Sequence, residues 1–482
     1  TLTLSGTNTY TGATTVSAGT VKITNADGLG RNGATYSTTT VSSGAALQIS
    51  GNGLSVGEPL TISGSGISAT GVIENLDTIG ANNNTIAGLV TIAADSTISS
   101  DSGSVLTFDV SGAGTSFTAG AATTYGLTVV GVGNVTVNDV IATPISGLTK
   151  GSALTDTGTL TLAAANSYTG TTTVAYGTLK ISNTSALGSS SAETVVSSGA
   201  TLEVAVAGSI SEPLTIAGSG VSAVGAVNFS SPATLTGTIS MSSDATIKDS
   251  AGSTISGVIS GSGIALTKSG GGTLTLSAAN TYTGATTVSD GTLKISNDAA
   301  LGESGGTRST TSVTAGATLE VAGGGSLSSA EPLTINGTSA TNGALYFSAS
   351  GTLSGTITMG SASSVSAASG KTGTLSGVVS GNYAFTKADS GTLALAADNT
   401  FAGTLTISAG TLSVTGTGSL GAGSPNNFTS NIVNSAAFVY SSSDDQTLSG
   451  VISGTGTVTK DTDSSSTLTL SGTNTYTGTT SI

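Results

Sequence analysis

Five copies of one sequence repeat constrain the fold of this chain more than any other feature. The copies begin at Thr1, Thr159, Thr273, Thr392 and Thr467, and the last copy runs to Ile482. The distances between successive starts differ widely, whereas globular domains in tandem keep a nearly constant length. Unequal spacing is typical of a coil that gains or loses whole turns, because each turn of a solenoid needs only its neighbours. The repeats therefore favour a solenoid.

Each copy contains short apolar segments with the alternation of β-strands. In the third copy these segments are Leu274–Leu276, Thr286–Val288 and Leu293–Ile295. Apolar residues at every second position indicate strands that bury one face, and Thr, Val and Ile favour pleated sheets. Gly284 and Gly291 stand between the segments, where glycine permits the backbone angles of a corner. One copy is thus predicted to form one turn of a parallel β-helix with three short faces.

The sequence predicts an all-β protein, a parallel β-helix (β-solenoid) that forms an elongated rod. At about 20–25 residues per turn, the chain would make about 20–24 turns. We expect residues 1–482 to be one continuous solenoid segment, and the near duplication of Thr1–Thr15 by Thr467–Thr480 suggests a piece cut from a longer repetitive chain. The alternative is a string of immunoglobulin-like β-sandwiches of about 100 residues each. The unequal repeat spacing and the absence of Trp and Cys argue against sandwiches.

Composition excludes most catalytic and metal chemistry. The chain has no Cys and no His, so it cannot form a zinc finger or use a thiolate or an imidazole base. Its 11 basic residues against 25 acidic ones make nucleic acid an unfavourable partner. A hydrophobic content of 37% with only 7% charged residues is unlike that of a disordered chain. We expect no cofactor and no metal ion, and no transmembrane segment in this stretch.

The repeat has a fixed pattern of Asn, aromatic and Gly residues. It reads Leu-x-Leu-x-x-x-Asn-x-[Tyr/Phe]-x-Gly-x-[Thr/Leu]-x-[Val/Ile]-x-x-Gly-Thr-[Leu/Val]. This pattern closely resembles the autotransporter-associated β-strand repeat (passenger-associated transport repeat) of bacterial autotransporter and adhesin passengers. The resemblance directly covers about a fifth to a quarter of the chain. It implies a large secreted or surface-attached β-helical passenger, in a family whose repeat is thought to help export.

The residues that carry the resemblance form the candidate site, in the sense of a structural repeat. They are Asn8, Tyr10, Gly12, Asn166, Tyr168, Gly170, Asn280, Tyr282, Gly284, Asn399, Phe401, Gly403, Asn474, Tyr476 and Gly478. Asn can bond backbone groups at a corner and Tyr can cap a turn, so we expect a structural role. A ligand-binding role for these residues is the alternative.

Carboxylates are the only catalytic groups that the composition leaves. Asp444 and Asp445, and Asp461 and Asp463, come nearest to clusters, and glycoside hydrolases use such sets. Both pairs lie in Ser-rich stretches without nearby aromatic residues. The glycine-aspartate nonapeptide of calcium-binding β-rolls is also missing. We interpret the pairs as solvated turns and predict no catalytic residue.

Two sets of lysines recur with the repeat. Lys22, Lys180 and Lys294 lie in the final strand of their copies, and Lys268, Lys387 and Lys460 precede a new copy. A buried Lys beside Asn or Asp could form an intramolecular isopeptide cross-link. The favoured interpretation is that all six are solvated on the outward side of alternating strands.

The predicted function is that of a non-enzymatic structural segment of a bacterial extracellular or surface protein, such as an adhesin passenger, stalk or fibre. A β-helical polysaccharide-active enzyme and a glycan or host-surface binding module remain as alternatives. Expected partners are further copies of the chain, through end-to-end or lateral association at strand edges, and glycans or surfaces.

Overall fold

The computed structural model of this chain describes all residues except 31–36, 77–79, 113, 121–123, 303–308, 324–326, 339–341, 422–425 and 462–465. The described residues form two compact units, Thr1–Lys248 and Asp249–Ile482. Both units consist of short β-strands joined by turns. In the described part of the chain there is no α-helix, and two short 3-10 segments occur at Ile67–Ala69 and Val221–Ala223.

The strands that begin in the first unit are Leu2–Leu4, Thr14–Val16, Gly19–Ile23, Thr39–Val41, Ala45–Ile49, Ser55–Val56, Leu60–Gly64, Ile73–Asn75, Asn83–Ile86, Val90–Ser100, Val105–Phe108, Thr115–Ala119, Gly126–Val130, Asn134–Val137, Val140–Ile141, Gly147–Lys150, Thr159–Leu162, Thr172–Val174, Thr178–Ile181, Thr194–Val196, Thr201–Val204, Gly208–Ile210, Leu214–Gly218, Val227–Phe229, Ala233–Leu235 and Ile239–Asp249.

The strands of the second unit are Thr254–Ile255, Ile259–Ser260, Leu266–Ser269, Thr273–Leu276, Thr286–Val288, Thr292–Ile295, Thr311–Val313, Thr318–Val321, Leu327–Ser329, Leu333–Gly337, Leu345–Phe347, Gly351–Leu353, Ile357–Ala367, Thr372–Leu375, Val379–Ser380, Phe385–Ala388, Thr392–Leu395, Leu405–Ile407, Thr411–Gly416, Asn427–Phe428, Ile432–Asn434, Ala437–Ser442, Gln446–Leu448, Ile452–Ser453, Thr457–Lys460, Leu468–Leu470 and Thr480–Ser481.

Strands stack in parallel, each on the corresponding strand of the next turn. Leu2–Leu4 pairs with Gly19–Ile23, which pairs in turn with Ala45–Ile49. In the second unit, Thr273–Leu276 pairs with Thr292–Ile295, which pairs with Thr318–Val321. The fold is a parallel β-solenoid of about 20 turns counted over both units. This confirms the predicted fold class, and the sandwich alternative is wrong because sandwiches consist of antiparallel sheets.

The core is a column of aliphatic side chains in each unit. In Thr159–Leu162 the side chains alternate, so that Leu160 and Leu162 are buried while Thr159 and Thr161 are half-buried. The same inward positions recur on the next turn, since Leu160 pairs with Leu179. Stacking like residues in register removes apolar area from water on both neighbouring turns, at about 25 cal/mol per Å².

The predicted three-faced turn is wrong in one respect. Leu274–Leu276 and Leu293–Ile295 do not form two faces of one turn, because Leu274 stacks directly on Leu293 in the same face. The third side of the turn is the Asn-x-Tyr segment, which lies against the preceding turn as non-strand backbone. There the Thr281 amide donates to the Ile259 carbonyl at 2.9 Å. The prediction that residues 1–482 form one continuous solenoid stays a prediction.

Candidate functional site

The Asn of each internal copy bonds to the turn before it and to the turn after it. In Asn280, Oδ1 accepts a hydrogen bond from the Ile259 amide at 2.8 Å, and Nδ2 donates to the Ala300 carbonyl at 2.6 Å. Its backbone amide also donates to the Ala299 carbonyl. Asn280 is buried, so these bonds satisfy backbone groups that water cannot reach.

The second and fourth copies repeat this arrangement. Asn166 accepts from the Ile141 amide at 2.8 Å and donates to the Ala186 carbonyl at 2.6 Å. Asn399 accepts from the Val379 amide at 2.9 Å and donates to the Ser419 carbonyl at 2.9 Å. The same residue type therefore joins three successive turns in all three internal copies.

The first and last copies show half of this pattern each. Asn8 Nδ2 donates forward to the Gly28 carbonyl at 2.8 Å. Asn474 Oδ1 accepts from the Ile452 amide of the preceding turn at 2.8 Å. Asn8 thus makes the bond to the following turn, and Asn474 makes the bond to the preceding turn, that the Asn residues of the internal copies make.

The Gly that follows the aromatic residue is fixed by close approach of the previous turn. A Cβ on Gly284 would lie 2.1 Å from the Ile264 carbonyl oxygen, and one on Gly170 would lie 1.2 Å from the Ser146 oxygen. At Gly403 and Gly478 the corresponding distances are 2.0 and 2.1 Å, to Tyr383 and Gly456. At Gly12 nothing lies within 4 Å. At four of the five positions, only glycine therefore fits without a backbone shift.

The aromatic residue of the internal copies lies in the core. Tyr168 and Tyr282 are buried, and each hydroxyl bonds to a Thr four residues later, at 2.6 Å from Thr172 and 2.8 Å from Thr286. Burial raises the pKa of both phenols. In the first copy Tyr10 is 41% exposed and bonds to Thr14 at 3.0 Å, and in the last copy Tyr476 bonds to Thr480.

A buried Glu completes a polar column behind the Tyr-Thr pair. Thr172 stacks on Thr194 in the next turn, and the Thr194 hydroxyl donates to Glu212 Oε1 at 2.9 Å. Burial raises the pKa of Glu212 to about 7, against the opposing effect of the Thr194 hydrogen bond. The sequence pattern Glu-Pro-Leu-Thr-Ile contains this Glu, but sequence reasoning did not connect it with the Tyr.

The column recurs in two other places and is absent in one. Thr39 and Thr311 donate to the buried Glu58 and Glu331 at 3.2 and 2.9 Å. In the fourth copy the aromatic residue is Phe401, and the residue four positions later is Leu405.

The fourth copy packs apolar groups where the column stands elsewhere. Phe401 lies between Phe385 and Phe428, with ring centroids 5.4 and 5.5 Å away. Leu405 stacks on Ile432. The Tyr and Thr hydroxyls and the Glu carboxylate are all absent from the fourth copy, so we interpret these three residues as a set that occurs together.

Two lysines predicted to be solvated lie in the core, so that interpretation is wrong for them. Lys268 is buried, and its Nζ donates to the carbonyls of Gly272 at 2.7 Å, Asp290 at 2.8 Å and also Gly270. Lys387 is buried and donates to Ala388, Asp389 and Ala409 at 2.7, 2.6 and 3.0 Å. We use the name lysine cage for a buried lysine whose Nζ donates to backbone carbonyl oxygen.

A third cage belongs to Lys150, which sequence reasoning missed. Lys150 is buried, and its Nζ donates to the Asp156 carbonyl at 3.1 Å. Burial lowers the pKa of Lys150, Lys268 and Lys387 to about 8, against the opposing effect of nearby aspartates. The bonded oxygens are backbone carbonyls, so these contacts offer no carboxylate or amide side chain for an isopeptide link.

The other four lysines of the two sets are half-buried. Lys180 and Lys294 pair with Glu203 and Glu320 on the next turn, at 3.2 and 3.0 Å. Lys22 stacks beside Gln48. Lys460 is half-buried, with Nζ 5.9 Å from the ring centre of Tyr440.

One carboxylate of each pair bonds to a neighbouring turn. Asp445 accepts from the Thr467 amide at 2.6 Å, and Asp461 accepts from the Ser441 hydroxyl at 3.1 Å. The Asp444 carbonyl accepts from the Tyr440 hydroxyl. Asp463 lies outside the described residues. In the described part of the chain, no three Asp or Glu side chains are grouped as metal ligands, and no helix is long and apolar enough to cross a membrane.

Comparison with known proteins identifies the repeat. The family model described as passenger-associated-transport-repeat matches residues 1–23, 154–181, 266–295, 385–414 and 463–482. Each matched segment overlaps one of the five copies, and those that begin at 266 and 385 include a caged lysine.

A stretch of 195 residues is 36% identical to the protein named Adhesin BmaC autotransporter from Brucella suis biovar 1 (strain 1330). It covers 40% of this chain and 5% of that protein, so the chain spans a small part of its relative's length. No solved structure matches this chain. The five matched segments and the side-chain pattern common to them show that this chain contains passenger-associated transport repeats.

Proposed function

We propose that this chain is a non-enzymatic structural segment of a bacterial surface passenger of the adhesin type. The observation that carries the proposal is the use of the repeat residues. The side chain of Asn280 bonds to the turns on both sides, and Tyr282 is buried against Thr286. Side chains that bond within the solenoid stabilise its stacking and are not available to a substrate.

The comparisons support the location. The repeat model is named for passengers and their transport, and the relative is named an adhesin autotransporter. An adhesin acts outside the cell, so we place this chain at the bacterial surface or in the extracellular medium. In this function the solenoid holds adhesive parts of the passenger away from the cell.

A display experiment tests the surface location. The chain is fused to the translocation unit of a Gram-negative autotransporter whose own passenger has been removed. We expect antibody labelling of intact cells and release of a folded fragment by added protease. Retention of the chain in the periplasm would contradict the proposal.

A second experiment tests the non-enzymatic role. The purified chain is incubated with a panel of bacterial and host polysaccharides, and new reducing ends are measured. We expect none above the level of a heat-unfolded sample. Release of reducing ends by the folded chain alone would favour the enzyme alternative.

A further inference from the structure

A groove of about 570 Å³ runs along the outward face of the first unit. Its floor includes Gln48, Glu74 and Ser99, which stack in register on three successive turns. Successive floor residues are about 4.8 Å apart along the axis. This spacing is comparable to the length of one pyranose ring. Gln48 Nε2 donates to Glu74 Oε2 at 2.7 Å, and Glu74 and Ser99 are only 6% and 8% exposed, so the polar groups open to a ligand lie mainly on the two walls.

One wall is a closed loop that overhangs the face. The Gly71 amide bonds to the Ser65 carbonyl at 2.9 Å and closes the neck of the loop. Ser68 and Ala69, which line the groove, have φ values of 55° and 61°. Such angles in non-glycine residues cost free energy and occur often at binding sites. The loop is tied to the floor, because the Thr70 hydroxyl donates to Glu74 Oε1.

The opposite wall is the loop that Asp156 closes. Its carboxylate accepts from the Ser152 amide at 2.6 Å, the Ala153 amide at 2.9 Å and the Gly131 amide at 2.8 Å. Although burial opposes ionisation, these bonds lower the pKa of Asp156. Both walls are therefore ordered before a ligand arrives, which lowers the entropy cost of binding.

The groove is a specialised version of an element that occurs twice in the first unit. The loop at Val221–Ala223 has the same backbone angles but is tied by Thr201, whose hydroxyl accepts from the Val221 amide at 2.9 Å. Ala46 occupies the position of Thr201 in the first loop, and Glu74 supplies the tie there. Gln48 and Glu74 correspond to Glu203 and Asn228.

At the second loop Lys180 pairs with Glu203 on the next turn, and at the groove Lys22 holds the position of Lys180, stacked on Gln48 but outside the lining. The lining of the groove, by contrast, includes the carboxylates of Glu74, Asp101 and Asp156, and none of its described lining residues is Lys or Arg. An anionic ligand would be repelled there. The exposed hydroxyls of Ser68 and Thr155 add donors and acceptors that suit a polyol.

We propose that this groove binds a neutral or amine-bearing oligosaccharide, laid along the solenoid axis. The proposal goes beyond the structural role proposed above, since a stalk needs no such site. Backbone amides hold the Asp156 carboxylate in the wall of the groove. The proposal assigns recognition to the groove and no catalytic step.

The test is binding of the purified chain to an array of neutral, amino-sugar and sialylated or sulfated oligosaccharides. We expect binding to neutral or amino-sugar chains and none to acidic ones. The variants Ile67→Trp and Ala153→Trp place an indole in the groove from opposite walls and should weaken binding about tenfold or more. The matched control, Val221→Trp, puts the same side chain on the second loop and should bind like the unchanged chain.

Urea denaturation of each variant separates loss of the site from loss of the fold. The proposal is overturned if no neutral or amino-sugar chain binds, if acidic chains bind in preference, or if groove variants with an unchanged unfolding midpoint bind normally. Surface display of the chain does not depend on these residues, so failure here leaves the proposed passenger role standing.

Discussion

The Asn side chains of the repeat bond in two directions along the solenoid. In each of the three internal copies the Asn satisfies an amide of the preceding turn and a carbonyl of the following turn, as Asn280 does for Ile259 and Ala300. A buried backbone group left without a partner costs about 1–3 kcal/mol. One side chain in each internal copy therefore contributes to the stability of three turns.

Replacing Asn280 by Ala should lower the free energy of unfolding by about 2–4 kcal/mol, because two buried backbone groups lose their partners. The measurement is urea denaturation followed by circular dichroism. Asn297→Ala is the matched control, since the Asn297 side chain accepts only from the nearby Ala299 amide. Equal losses in the free energy of unfolding for the two substitutions would contradict the contribution assigned to the bonds between turns.

The corner glycine gives a second test at the residue scale. Gly284→Ala should lower the free energy of unfolding by about 2 kcal/mol or more, because the new methyl would overlap the Ile264 carbonyl. Gly271→Ala is the control, as nothing lies within 4 Å of a Cβ there and its φ is not positive. The same denaturation measurement should show a change within about 0.5 kcal/mol for the control.

The residue scale also shows what sequence could and could not predict. Lys268 stands two residues after Leu266, so strand alternation places both on the inward side, and this signal was available. Lys180 lies between the inward Leu179 and Ile181 and is correctly predicted to face outward. The carbonyls that surround Lys268 come partly from the next turn, and no local pattern reveals them.

At the scale of elements, register is independent of the length of chain between strands. Thr14–Val16 stacks on Thr39–Val41 and then on Leu60–Gly64, although the intervening segments differ in length and composition. The alternation of Leu and Thr was sufficient to predict strands and their inward faces. It could not show that two strands of one copy share a face, because both have the same pattern.

A deletion that respects this register should be tolerated. Removing residues 273–291 joins Gly272 to Thr292, which takes the place of Thr273 because the two residues stack on each other. We expect a cooperatively folded chain with a modestly lower urea midpoint, since turns contribute to stability mainly through their nearest neighbours.

Removing residues 273–281 alone is the control for this deletion. It leaves part of a turn that cannot stack, and we expect loss of cooperative unfolding. A fully cooperative half-turn deletion would contradict the argument from register.

At the scale of the whole molecule, buried ionisable groups set the dependence of stability on pH. The pKa of Glu212 is about 7 in the folded state against an ordinary value of 4.5. Between these two pH values the folded state keeps a proton on Glu212 that the unfolded state has lost, so stability falls as pH rises through this range. The three caged lysines have folded pKa values of about 8 against 10.5. Stability therefore rises as pH increases above about 8.

We predict a minimum in the urea midpoint between the two ranges, near neutral to slightly alkaline pH. Measurements at about pH 5, 7.5 and 9.5 should show the lowest midpoint at the middle value. Glu212→Gln should flatten the acid side of the curve, because its amide does not titrate. A midpoint that rises steadily from pH 5 to 7.5 in the unchanged chain would contradict the assignment.

The lysine cages have a consequence for survival outside a cell. Proteases of the trypsin type cut only after Lys or Arg, and the chain has 11 such residues in 482. Lys150, Lys268 and Lys387 present neither their side chains nor an accessible strand to an enzyme. The cages thus make three of these few cleavage sites inaccessible in the folded chain. A protease can cut there only after a turn of the solenoid has unfolded locally.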